Sequence, residues 1–135
     1  MIQPHEPMTN EFLHVDHLDG LDLVGEMRKI HRDAVFPWWW EISTGPHEGF
    51  DPDNHALAVT VGPATCLSWS EGQRVWSPAN GTGETAVEAR MAGGLTTYME
   101  PGSQVAPDTV FAALTEFLTT RQRPTCVEWR PWSPS

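Results

Sequence analysis

Apolar positions recur at helical spacing near both ends of this chain and with period two between them, which predicts two helices flanking a run of strands. In the C-terminal helix Val110, Phe111, Leu114, Phe117 and Leu118 form one apolar stripe, while Asp108, Thr115, Glu116 and Thr119 face water. Pro107 suits a first helical position, and Asp108 complements the positive end of the helix dipole as Arg121 and Arg123 complement the negative end. The helix is expected to run from Pro107 to near Arg121, and Pro124 forbids its continuation. An earlier stripe of Leu23, Met27, Ile30 and Ala34 predicts a first helix capped by Asp22 and bounded by Pro37.

Alternation marks the strands. Phe12, Leu13 and Val15 suit a short edge strand, and Trp38, Trp40 and Ile42 point one way with Trp39 and Glu41 opposite. A polar loop, Gly45 to Asn54, follows. Ala56 to Val61, Thr65 to Trp69 and Arg74 to Ser77 are separated by Gly62-Pro63 and Glu71-Gly72, spacings that suit an antiparallel meander. Glu84 to Ala92 and Leu95 to Glu100 flank a hairpin signal at Gly93-Gly94. With a two-residue turn there, Val87, Ala89 and Met91 share a face with Thr96, Tyr98 and Glu100, whereas a register one residue different reverses the arrangement; the pattern fits both. Thr125 to Arg130 forms a last strand with Val127 and Trp129 inward.

The expected fold is therefore α+β, an antiparallel sheet of about six strands with both helices packed on one face and the other face partly open. Residues 1–10, with two prolines and little apolar content, are expected to be a loose lead-in, and residues 11–135 one domain, since a chain of 135 residues has no room for a second core.

Charge narrows the partners. Eighteen acidic against eight basic residues give a net charge of -10, which disfavours direct binding to nucleic acid or an anionic membrane and favours a basic partner. An acidic surface also aids solubility whatever the partner. The N-terminus lacks the basic start and apolar run of a secretory signal, no segment approaches the roughly 20 apolar residues of a membrane span, and Cys66 and Cys126 do not make a disulfide framework. A cytoplasmic protein with reduced thiols is expected.

The candidate chemistry is thin. His14 and His17 beside Asp16 are the closest histidine pair, without the spacing of a zinc protease or finger, and His31 suits a helix C-terminus. Asp51-Pro52-Asp53-Asn54 lacks the glycine and the distant glutamate of a calcium loop, and Ser103 lacks the glycines of a nucleophile elbow. No catalytic residue, metal or cofactor is expected. Seven tryptophans stand out more. Trp38, Trp40, Trp69 and Trp129 fit a core, Trp76 and Trp132 fit core or surface, and Trp39, left on the outer side of its strand, suits either an interface anchor or a cover for the Gly45 to Asn54 loop.

The run from Pro107 to Trp132, with its core "EFLTTRQRPTCVEW", resembles the C-terminal signature of immunity protein family 1 of bacterial polymorphic toxin systems. "HALAVTVG" from His55 to Gly62 and "YMEPGSQV" from Tyr98 to Val105 are similar to segments at corresponding places in that family, whereas the first 50 residues match less well. The resemblance implies a cytoplasmic antidote that binds a cognate secreted toxin and occludes its active site without chemistry of its own. Similar proteins often accompany deaminase toxins, which makes a nucleic-acid deaminase the first expected target and a nuclease the second. Trp39, Glu41, Glu84, Glu88 and Glu100 are the expected partner-binding residues, combining an outward aromatic with acids on neighbouring strands of the helix-free face. Two other readings stand beside this one: a small metal-dependent hydrolase using His14, Asp16, His17 and Glu100, and a ligand-binding module with tryptophans lining a pocket.

Overall fold

The computed structural model describes residues 12–18, 21–44, 54–91 and 94–132; the lead-in over residues 1–10 and most of the loop from Gly45 to Asn54 lie outside the described residues. In chain order the elements are β1 (Phe12–His14), a 3-10 turn (Val15–His17), α1 (Leu23–Asp33), β2 (Trp38–Ser43), β3 (His55–Val61), β4 (Cys66–Glu71), β5 (Arg74–Pro78), β6 (Val87–Arg90), β7 (Thr96–Met99), α2 (Pro107–Thr120) and β8 (Trp129–Pro131). The Asp22 carboxylate caps α1 by accepting the Gly25 N–H at 3.0 Å. Arg121 closes α2 in the left-handed conformation at φ 59°, its N–H donating to the Phe117 carbonyl.

The strands form one eight-stranded sheet in the order β7-β6-β2-β3-β4-β5-β8, with β1 beside β2. The meander β3-β4-β5 and the α+β class are as expected. The sheet is mixed rather than purely antiparallel, because β2 runs parallel to both β1 and β6. Its size also exceeds expectation. Both differences come from crossovers: α1 carries the chain from β1 to a parallel neighbour, and the link after β5 returns across the sheet to place Arg90 opposite Trp38.

Both helices cover one face. Leu57, Val59, Val61, Leu67 and Trp69 point toward Leu23, Met27, Val110, Phe111, Leu114 and Phe117, all buried in one cluster. His31 in the last turn of α1 ties that helix to the sheet, its Nδ1 accepting the Gly62 N–H at 2.9 Å. Gly62 has φ 112° and a Cβ there would lie 2.9 Å from the Phe36 carbonyl oxygen, so only glycine fits this turn.

The opposite face is less open than expected. The β6-β7 hairpin curls over it, and Trp39, Ala58, Cys66, Ala89 and Met99 form a second buried cluster. The segment after β7 is stitched underneath: Ser103 O accepts the Leu67 N–H, and Thr82 and Gln104 exchange two backbone hydrogen bonds. The hairpin adopts the longer register, pairing Val87 with Met99 and Glu88 with Tyr98, with Met91 N–H donating to Leu95 O at 2.8 Å. Val87 and Ala89 thus share the inner face with Thr97 and Met99. Of the expected last strand only its end pairs, because the Thr125 and Cys126 N–H groups are taken by the Glu116 carboxylate instead of a ladder.

Candidate partner-binding surface

Alternation along β2 fixes the sides of Trp39 and Glu41. Both face away from the helices, as the sequence indicates. Trp39 is nevertheless 9% exposed. The hairpin and the ring of Phe12, edge-on at 5.3 Å, enclose it, so Trp39 is a second-core residue and not an outward aromatic. Period two reveals a side, but not what a hairpin formed some fifty positions later places on it.

Glu41 is half-buried, with Phe12 opposite it on β1 and Ala58 opposite it on β3. Burial pushes its carboxyl above the usual carboxylate range. Glu84 is exposed in the turn before β6, and Glu88 is exposed beside Tyr98, itself 62% exposed. Because Ala89 points at Trp39, Glu88 and Tyr98 lie on the outer side of the hairpin. Glu100 is half-buried past the end of β7, where its Oε1 accepts the Ser77 hydroxyl at 3.2 Å. The five expected residues therefore do not share one face. Glu84 and Glu88 meet water, Glu41 and Glu100 line the curled face, and Trp39 lies beneath the hairpin.

Phe12, Leu95 and Tyr98 are exposed apolar groups that the sequence reading did not place at the surface. Tyr98 was legible only through the hairpin register, which the Gly93-Gly94 signal left undetermined.

The remaining chemical groups are occupied structurally. Cys66 is fully buried, and burial pushes its thiol up; the Thr60 and Ser103 hydroxyls oppose that shift while Glu100 adds to it. Ser103 is fully buried and donates to the Glu100 carbonyl at 2.7 Å. The exposed Cys126 thiol is also raised, by burial first and then by Glu116. Neither cysteine is poised as a thiolate nucleophile. His14 is buried with its Nδ1 accepting the Asp16 N–H at 3.2 Å, and Asp16 pairs with Arg121 at 2.8 Å. Glu100 is committed to Ser77, and the His17 side chain lies outside the described residues. Among the described residues no group of three or more His, Cys, Asp or Glu side chains is placed to hold a metal, and no helix is long and apolar enough to cross a membrane.

One cleft of about 670 Å³ opens beside the C-terminal loop, lined by His55, Trp69, Glu71, Arg123 and Trp129 among others. Its walls are pinned: the Trp69 indole N–H donates to Glu71 at 2.9 Å, and the Trp129 indole N–H donates to the Pro124 carbonyl at 2.8 Å.

A mixed sheet sheltered by two helices on one face and a curled hairpin on the other, in a chain of net charge -10, defines the class: a small acidic α+β protein. The chain belongs to the immunity protein Imm1 family, whose model matches residues 22–131. The match starts at the cap of α1 and ends in β8, so it takes in the first helix and β2 as well as the segments that carry the sequence resemblance, up to Pro131. No curated protein matches the chain.

Proposed function

We propose that this protein neutralises a cognate toxin by binding the toxin's catalytic domain and occluding its active site, with no reaction of its own. The family match over residues 22–131 carries this reading. The net charge of -10 supports a basic partner, because a toxin that acts on nucleic acid needs a positively charged substrate cleft, which an acidic protein can occupy in place of phosphates. A nucleic-acid deaminase is the first target and a nuclease the second. Glu84 and Glu88, exposed on and before β6, steer the encounter; Glu41 and Glu100 contribute from the curled face, and Trp39 supports that face from below. The protein acts in the cytoplasm, where such a toxin would act.

Coexpression with the C-terminal toxin domain encoded beside its gene tests this. Cells should survive with the protein and die without it, and a complex should be recovered from the survivors. Survival equal to that of an empty control would refute the reading. The cleft walled by Trp69 and Trp129 favours one second reading, a ligand-binding module. A small molecule retained in native mass spectrometry would promote it.

A further inference from the structure

Five acids are half-buried among the described residues, and four of them have partners. Glu26 lies 3.3 Å from Lys29 Nζ, Glu71 accepts the Trp69 indole N–H, Glu100 accepts the Ser77 hydroxyl, and Glu116 accepts donors of Thr125 and Cys126. Glu41 has no hydrogen-bond or charged partner among the described residues, and burial alone displaces its carboxyl from the usual range. A carboxylate partly withdrawn from water without a donor costs stability, and a sheet position between Phe12 and Ala58 would be filled more favourably by an apolar or neutral side chain.

Its neighbour is equally unfinished. Phe12 as a residue is 59% exposed on an edge strand, its ring held edge-on against Trp39 at an interplanar angle of 78°. This chain twice seats its own arginines on phenylalanine rings: Arg28 lies 4.3 Å from the Phe111 centroid and Arg90 lies 4.2 Å from the Phe36 centroid. Among the described residues no cation lies over Phe12. An exposed aromatic on a buried indole, paired across the ladder with an unpartnered acid, has the composition of an interface anchor that awaits a cation.

Resting on the immunity reading above, we propose that Phe12 and Glu41 form the receptor for one arginine side chain of the toxin. The guanidinium plane rests on the Phe12 ring and its N–H fork donates to the Glu41 carboxylate. Arginine suits this place better than lysine, because its flat, weakly hydrated cation loses less on leaving water and bonds a carboxylate through two parallel donors.

Two measurements test this. In the first, the free protein is titrated with N-acetyl-arginine methylamide while the Glu41 carboxyl carbon and the Phe12 ring protons are followed by NMR. Both signals should shift together and saturate, more weakly with the lysine analogue, and Glu41→Gln should lower the affinity by roughly tenfold. Equal shifts in wild type and Glu41→Gln, or shifts confined to exposed acids such as Glu84 and Glu88, would overturn the proposal. An unchanged or raised melting temperature of Glu41→Gln shows that the variant is folded. In the second, Glu41→Gln should speed dissociation from the neighbouring toxin domain by roughly tenfold. If wild type binds that domain and Glu41→Gln dissociates no faster, the receptor is refuted and the immunity reading stands. If wild type does not bind it, the immunity reading fails, and the arginine titration still decides the receptor.

Discussion

Phe117 shows what one residue contributes to this fold. Its side chain is fully buried and its ring meets Trp69 edge-on at 5.4 Å, joining the stripe of α2 to the centre of the sheet. Phe117→Ala should cost about 3 to 5 kcal/mol, because the indole and strands around the vacated space can relax only partly. Chemical denaturation measures this directly, and a loss below about 1 kcal/mol would mean that the stripe is not a core contact. Phe117 was legible because helical periodicity is local: five apolar positions of α2 name their own face. Trp39 was not, since its side of β2 could be read but its cover could not. Arg28 is a third kind of case, a charged residue off the apolar stripe of α1 whose guanidinium lies over the Phe111 ring.

At the scale of elements, the loop between α2 and β8 is held by one carboxylate. Glu116 accepts the Thr125 N–H and hydroxyl on one oxygen and the Cys126 N–H on the other. These bonds, the Thr125 N–H first, hold its carboxyl below the ordinary value of 4.5. A carboxyl lowered in the folded state stabilises the loop fully above that ordinary value, and the contribution fades as pH falls through the lower folded value. The Thr125 and Cys126 amide signals should therefore titrate with a midpoint below 4.5 in NMR spectra, and lose that titration in Glu116→Ala. A midpoint at or above 4.5 would contradict the clamp. The same clamp explains why alternation from Thr125 onward overstated the strand: period two was present, but the backbone donors were already engaged. The meander β3-β4-β5 was legible because its turns are short and carry glycine, whereas the pairing of Trp38 with Arg90 joins segments that no local pattern connects.

Across the whole molecule, the described acids of the proposed partner set differ in exposure: Glu84 before β6 and Glu88 on it meet water, whereas Glu41 is half-buried on β2 opposite Phe12. If the proposed complex forms, exposed acids such as Glu84 and Glu88 would raise the rate of encounter with a basic toxin and be screened by salt, while the proposed pair at Phe12 and Glu41 would act on the lifetime of the complex. The family and the fold class were legible in the sequence because its C-terminal helix, turn and tryptophans are local features in a fixed order. The difference in exposure between Trp39 and the acids was not, since it depends on how the β6-β7 hairpin curls over the sheet. Occlusion is the central claim, and it has a direct assay: the activity of the neighbouring toxin domain on an oligonucleotide substrate, measured while the protein is added in increasing amounts. Activity should fall to zero at one equivalent, and excess oligonucleotide should compete with the protein for the toxin. A tight complex that leaves the toxin active, or inhibition that no amount of substrate relieves, would contradict it.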